Sequence, residues 1–145
     1  MRSGPEADLV SDYLTRFERT GRPLGLGPAN LTEVEAKKGG MAAEAALLEK
    51  AATGARPICI LDERGKMLSS PQFAALLAGW RDAGHAEPAI LIGGADGLAP
   101  ELRAGADHAI SFGRMVWPHM LVRVMLAEQL YRAASILAGT PYHRE

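Results

Sequence analysis

The chain has 145 residues, 48% hydrophobic and 23% charged, with 16 Lys and Arg against 17 Asp and Glu for a net charge of −1. One domain of this size buries roughly two-thirds of its unfolded surface and needs no staple to hold a core. The charge balance excludes an autonomous nucleic-acid binder working by bulk charge, and the single cysteine, Cys59, excludes an internal disulfide framework and any CxxC pair.

In chain order, Leu9, Val10, Tyr13, Leu14 and Phe17 share one stripe and predict a first helix. Residues 21–28 are rich in Gly and Pro and predict a loop or a short edge strand. Residues 30–35 are a weak strand candidate ending at the basic Lys37-Lys38-Gly39-Gly40. Residues 41–52, rich in Ala with Leu47 and Leu48, predict a helix by propensity. Pro57-Ile58-Cys59-Ile60-Leu61 is a continuous apolar run of the kind that forms a strand buried on both faces. Ser70-Pro71 supplies an N-cap and a first-turn proline for a helix to about Trp80. Ala89-Ile90-Leu91-Ile92 predicts a second buried strand, Pro100 a short helix, and residues 108–112 a third strand. Pro118 opens the longest helix, which ends near Gly139 with Pro141 beyond it. Strands alternating with helices predict an α/β fold, one domain over residues 1–145, with a mainly parallel sheet and helices on both faces. No apolar core of a secretory signal follows residues 1–6 and no run approaches 18 apolar residues, so a cytoplasmic protein without a membrane partner is expected.

Two glycine motifs invite a phosphate-loop reading. Gly65-Lys66 lacks the glycine that a Walker A loop needs five positions earlier, because Ile60 stands there. Gly93-Gly94-Ala95-Asp96-Gly97 is not GxGxxG, since Ala95 takes the third place. Glycines after a buried strand still let a ligand approach the backbone; a plain tight turn explains them equally well.

The last helix carries one anomaly. At about 100° per residue, Met120, Val122, Val124, Leu126, Ala127, Leu130, Tyr131, Ala133, Ala134 and Leu137 form a wide apolar arc with Arg123 in its middle. A guanidinium there needs a structural ion pair, a ligand or an interface. The opposite side mixes Leu121, Met125 and Ile136 with Glu128 and Arg132, and this second apolar stripe suggests burial against a partner subunit. The four histidines have no metal spacing, so no metal is expected. His85 and His108 read as polar loop residues flanking elements, and His119 as a structural histidine or a base. The tail Tyr142-His143-Arg144 is either a frayed end or a group that stacks on a base and contacts phosphate.

The motifs together resemble a known family. Leu91-Ile92-Gly93-Gly94-Ala95-Asp96-Gly97-Leu98 looks like its strand and loop IGG-x-x-GL. Ser111 to His119 looks like its LS-x-x-x-x-x-PH loop, the following residues like its RV-x-x-x-EQ-x-YRA helix, and the chain closes on Tyr142-His143-Arg144-Glu145 as that family does. Leu61-Asp62, Gly65-Lys66 and Ser69-Ser70 fit its middle section. The sequence is thus similar to the RlmH family, the ribosomal large-subunit pseudouridine N3-methyltransferases of the SPOUT class, strongly over residues 57–145 and loosely before. Members begin with an apolar strand ending in Val-Gly; Met1-Arg2-Ser3-Gly4-Pro5 leads almost directly into the first helix, so one sheet strand is expected to be missing.

The resemblance implies a C-terminal trefoil knot, S-adenosylmethionine held in the knot loops, a homodimer, and a pseudouridine of large-subunit (23S) rRNA in the assembled ribosome as substrate. It carries cofactor contacts to Leu61, Gly93, Phe112, Gly113, Arg114, Met115, Val116 and Trp117, which are also the ends of the three predicted strands. The imide N3 of pseudouridine must lose a proton, which makes a base or an anion-stabilising cation useful. Residue chemistry nominates His143 as the base, Arg144 and Arg123 as the cations, and Tyr142 as the stacking surface for the flipped base. Residues 111–145 hold four Arg against two Glu, plus two His. That mild excess suits a large, structured substrate better than free RNA. The rival reading is a non-catalytic α/β ligand-binding or dimerisation module that retains the pocket.

Overall fold

The apolar run at Ile58 forms the middle strand of a parallel sheet, and its two sides explain its composition. In the computed structural model, which describes residues 4–34, 40–85, 87–93 and 97–144, β1 (Ile58–Met67) lies between β2 (Ala89–Ile92) and β3 (His108–Ser111) in the order β2-β1-β3. Both pairings are parallel: Leu61 stands opposite Ile92 on one side and Ile110 on the other. A central strand has neighbours on both edges and packing on both faces, so Cys59 and Ile60 are fully buried. The strand's entry is pinned by Asp107, whose carboxylate accepts from the Ile58 amide at 2.8 Å while its own amide donates to the Ile58 carbonyl at 2.8 Å.

These strands belong to one of two compact units, made of residues 32–67 and 85–119. Its core joins Ala45 and Leu48 of α2 (Gly40–Ala51), Ile60, Leu91, Leu98, Ala99, and Leu102 of α4 (Pro100–Gly105). The other unit, residues up to 31, 68–84 and from 120 onward, is helical. It comprises α1 (Pro5–Gly21), a 3-10 turn (Arg22–Leu24), α3 (Ser70–Asp82) and nearly all of α5 (His119–Ala138). Val10 and Phe17 of α1, Phe73, Leu77 and Trp80 of α3, and Leu126, Leu130 and Ala134 of α5 are its buried side chains. Arg81 donates to the Leu24 carbonyl at 3.0 Å, and Ser70 Oγ donates to Gln129 Oε1 at 2.8 Å.

Most predicted elements stand within a residue or two of their expected bounds. Residues 30–34 form no strand; Glu35 and Lys37-Lys38-Gly39 lie outside the described residues. The α3 cap is Ser69 rather than Ser70: its hydroxyl accepts from the Gln72 amide at 3.2 Å, and Gln72 Oε1 accepts from the Ser69 amide at 2.8 Å. This reciprocal capping box fixes the start, and it leaves Ser70 available to α5. His108 is not a loop residue but the first residue of β3, opposite Cys59. β1 runs six residues past Leu61, because Lys66 and Met67 return to pair with Ile110 and Ser111 after an excursion at residues 62–65. The α5 arc is buried along Leu126, Ala127, Leu130, Ala133 and Ala134, while Leu121 on the second stripe is 41% exposed.

Candidate active site

Parallel pairing puts all three carboxyl ends of the strands at one edge. Leu61 ends the regular part of β1; Ile92, its partner, is followed by Gly93; Ile110, its other partner, is two residues before Phe112. The sequence therefore converges there on Leu61, Gly93 and the loop 112–117, with residues 94–96 outside the described set. Ligands of open α/β sheets bind in the crevice outside the carboxyl ends of the strands.

The edge is shaped by backbone rather than by polar side chains. A Cβ added to Gly93 would stand 2.7 Å from the Gly97 carbonyl carbon and 3.0 Å from the Leu98 amide nitrogen, so the loop closes against that glycine. A Cβ on Gly65 would stand 2.7 Å from Ala109 C and Ile110 N, so the excursion of β1 lies flat on β3. Asp62 holds the excursion from inside: it accepts from the Arg64 amide at 2.9 Å and lies 3.8 Å from both the Arg64 and Arg103 guanidinium groups. Outside it is an open groove of about 540 Å³ lined by Glu63, Arg64, Gly65, Met67 and Arg114. In the loop after β3, Ser111 Oγ and the Gly113 backbone exchange bonds at 3.0 Å, and Gly113 sits at φ 112°. The loop then presents Met115, Val116 and Trp117 to the exterior at 73%, 87% and 40% exposure. Exposed apolar side chains beside a glycine-lined turn of backbone fit a flat, neutral ring system. Cys59, behind the edge, is no nucleophile: burial pushes its thiol up to about 12.

The tail is built in the opposite way, from charged and aromatic side chains. α5 ends in a Schellman motif. Thr140 N–H donates to the Ser135 carbonyl at 3.0 Å and Gly139 N–H to that of Ile136 at 3.1 Å, with Gly139 at φ 75°. The Thr140 hydroxyl pairs with that of the fully buried Ser135. This turn lays residues 141–144 back along the helix. Tyr142 Oη donates to Glu128 Oε2 at 2.7 Å; Arg132 Nε and Nη2 donate to the same oxygen at 3.1 and 2.9 Å; Arg132 Nη1 lies 3.1 Å from His143 Nδ1. Gln129 donates to Glu128 Oε1 at 3.0 Å, which continues the chain of bonds to Ser70 of α3. The Arg132 guanidinium lies 4.7 Å above the Tyr142 ring, and Tyr131 is 4.5 Å from that ring on centroids. Burial, then the bond to Glu128, pushes the Tyr142 hydroxyl well above the ordinary tyrosine range. Burial opposes the charge of Arg132, and Glu128 outweighs it.

The structure thus brings Tyr142 and His143 together on α5, with Arg144 exposed beside them and Arg123 half-buried earlier on the same helix. Glu145 lies outside the described residues. Sequence reasoning missed Glu128, Gln129 and Arg132, which hold the tail. The signal was present in the four-residue spacing of Glu128 and Arg132, which places an acid and a base side by side on a helix. Among the described residues, no group of three His, Cys, Asp or Glu could hold a metal, and no helix is long and apolar enough to cross a membrane.

A parallel sheet with a glycine-lined carboxyl edge defines an α/β fold of the kind that binds ligands at that edge; the family follows from the relatives of the chain. The family model described as "Predicted SPOUT methyltransferase" matches residues 1–143. The chain is 69% identical to a Ruegeria pomeroyi protein, 70% to one of Dinoroseobacter shibae and 67% to one of Roseobacter denitrificans. Each match covers 99% of this chain and 93% of the relative, and each relative is named "Ribosomal RNA large subunit methyltransferase H". This chain belongs to the SPOUT methyltransferase family. It is a methyltransferase with the α/β knot fold of that family, and it uses a methyl donor.

Proposed function

We propose that the chain is an S-adenosylmethionine-dependent methyltransferase that modifies N3 of a pseudouridine in large-subunit rRNA, acting on the assembled ribosome as a cytoplasmic homodimer. The observation that carries this reading is the 67–70% identity, across almost the whole chain, to relatives named as large-subunit rRNA methyltransferases. When bound, S-adenosylmethionine supplies a methyl group already activated on a sulfonium, a chemistry that calls for no metal. The chain's task is alignment, worth up to about 7–11 kcal/mol in a well-oriented reaction. Leu61, Gly93 and Phe112 to Trp117 hold the donor: Gly93 gives close backbone approach, and Met115, Val116 and Trp117 provide apolar cover. Tyr142, His143 and Arg144 form the substrate side, Tyr142 toward the base and Arg144 toward phosphate or the imide anion, with Arg123 a second cation. The second stripe of α5, Leu121 and Met125, forms the dimer contact.

The near-neutral charge of the chain supports a ribosome-level substrate, since bulk attraction to free RNA is absent. The deciding experiment is transfer of labelled methyl from S-adenosylmethionine to ribosomes from cells lacking the modification. Label at N3 of one large-subunit pseudouridine is expected; its absence with a folded, donor-binding protein overturns the reading.

A further inference from the structure

The excursion of β1 leaves one arginine unspent beside the proposed donor site. Asp62, its side chain 10% exposed, accepts from the Arg64 amide at 2.9 Å and faces two guanidiniums, each at 3.8 Å. That distance is beyond a hydrogen bond, so neither cation gives its N–H groups to the carboxylate. Arg103 is the sheltered cation: its Nε is buried and has no hydrogen-bond partner among the described residues. Arg64 is the outer one, with its side chain 64% exposed. When Arg64 turns to a ligand, Arg103 still balances Asp62, and no buried acid is left unpaired.

The groove of about 540 Å³ lies on that outer side, within the range of about 300–1,000 Å³ that ligand pockets span. Arg64 and Arg114 face Glu63 across it, two guanidiniums to one carboxylate. The exposed Met67 gives it an apolar rim, and Gly65 adds no side chain, its backbone lying against Ala109 and Ile110. The lining comes from residues directly after Leu61 and from the loop after β3, all within one compact unit. The methyl donor is a poor match, because it carries a sulfonium and an ammonium against a single carboxylate, and the surplus cations repel it. A phosphate with its attached ribose is a good one, since guanidiniums bond phosphate oxygens in pairs.

We propose that this groove is a phosphate subsite for the RNA strand flanking the methylated base, with Arg64 its principal cation and Arg114 the second. The subsite rests on the rRNA reading above and adds to it a substrate contact separate from the tail. A chain with a net charge of −1 has no bulk attraction for RNA, so local cations set its hold on the strand. Phosphate contacts fix register without reading sequence. Arg64 therefore holds the strand and takes no part in the chemical step.

The test is binding of the donor-loaded protein to ribosomes from cells lacking the modification, between about 50 and 200 mM KCl. Arg64→Gln keeps the backbone amide on Asp62. It is expected to weaken binding about tenfold and to flatten the slope of log affinity against log salt by about one. Arg64→Lys keeps the charge and should restore the slope. Arg56→Gln, which removes an exposed arginine before the opposite end of β1, should change neither. In methyl transfer, Arg64→Gln should raise KM for ribosomes about tenfold with kcat within a factor of two, as lost uniform binding does. Donor affinity, read by calorimetry, should also stay within a factor of two. A slope unmoved by Arg64→Gln, unrestored by Arg64→Lys or flattened equally by Arg56→Gln overturns the subsite, as does a loss in kcat instead of KM. Weakened donor binding in Arg64→Gln gives the groove to the donor and overturns it too. A wild type that binds donor but neither binds nor methylates those ribosomes overturns the functional reading itself, and the subsite with it.

Discussion

The carboxyl edge of the sheet and the tail on α5, proposed above as the donor and substrate sides, are built from opposite materials. At the sheet edge the decisive atoms belong to the backbone: Gly65 and Gly93 stand where a single methyl would meet main chain at 2.7 Å, and Met115, Val116 and Trp117 expose apolar side chains beside the charged Glu63, Arg64 and Arg114. At the tail, the side chains of Glu128, Arg132, Tyr142 and His143 are bonded or stacked on one another, and the main chain contributes a turn. On the function proposed above, the difference matches the two ligands. A donor molecule with a flat, neutral ring is recognised by shape and by backbone groups that need no reorganisation. A polyanionic RNA whose base gains charge during the reaction needs cations and donors held in place. Rigid strands suit the first; a side-chain network that can be rebuilt residue by residue suits the second.

That division can be broken most sharply at the tail. Deleting residues 142–145 should lower methyl transfer by about 100- to 1,000-fold while donor affinity, read by calorimetry, stays within a factor of two. Comparable loss of both would put the tail in the wall of the donor site. The converse variant is Gly93→Val. Its added carbons meet Gly97 C at 2.7 Å and Leu98 N at 3.0 Å, a clash of about 1–3 kcal/mol. Donor affinity should therefore fall by roughly 10- to 100-fold, while near-UV circular dichroism of the aromatic cluster around Tyr131 and Tyr142 is unchanged. Undiminished affinity would separate Gly93 from the donor.

How far each region was legible follows from the same contrast. Ile58 to Leu61, Ala89 to Ile92 and the residues from His108 announce buried strands because parallel strands are apolar on both faces, and their ends mark the edge without further information. Their order does not follow from the pattern: which strand is central depends on crossovers that leave no mark on periodicity. Nor does the excursion at residues 62–65 show, because Gly65 matters through contact with β3, more than 40 residues away. At the tail, Tyr142, His143 and Arg144 are conspicuous by residue type. Their supports are not, since Glu128 and Arg132 occupy a helix face where charge is ordinary, and only the Schellman turn at Gly139 brings the tail onto them. Ser69 displaced Ser70 as the α3 cap for an equally local reason, the reach of Gln72 three residues on.

The second stripe of α5 offers a milder test, because it concerns assembly rather than either site alone. Leu121, 41% exposed, and Met125 are the residues proposed to meet a second copy. Leu121→Glu or Met125→Glu should weaken association by about tenfold or more, the cost of an unpaired charge in an apolar contact. Light scattering at micromolar concentration reads this directly, and an unmodified protein that is monomeric there would refute the contact.

The smallest expected effect probes the network by pH. Tyr142 is held protonated in the fold, chiefly by burial and then by its bond to Glu128, so its hydroxyl ionises at higher pH folded than unfolded. A group raised in this way contributes its full stability below the unfolded value, about pH 10 for tyrosine. It loses that contribution as pH climbs from there toward the folded value, since the unfolded chain then sheds a proton that the folded chain keeps. Tyr142→Phe keeps the ring but neither donates to Glu128 nor ionises. At pH 8 the wild type should be more stable by about 1 kcal/mol, below the figure for a fully buried bond to a charged acceptor because the ring is only half-buried. Between pH 9.5 and 11.5 that advantage should shrink, Tyr13 and Tyr131 being common to both proteins and cancelling in the difference. A gap that stays constant to pH 11.5 in denaturant titrations would mean that Tyr142 is not bonded to Glu128 in solution. The tail would then rest on Arg132 and on the packing of the Tyr142 ring against Tyr131.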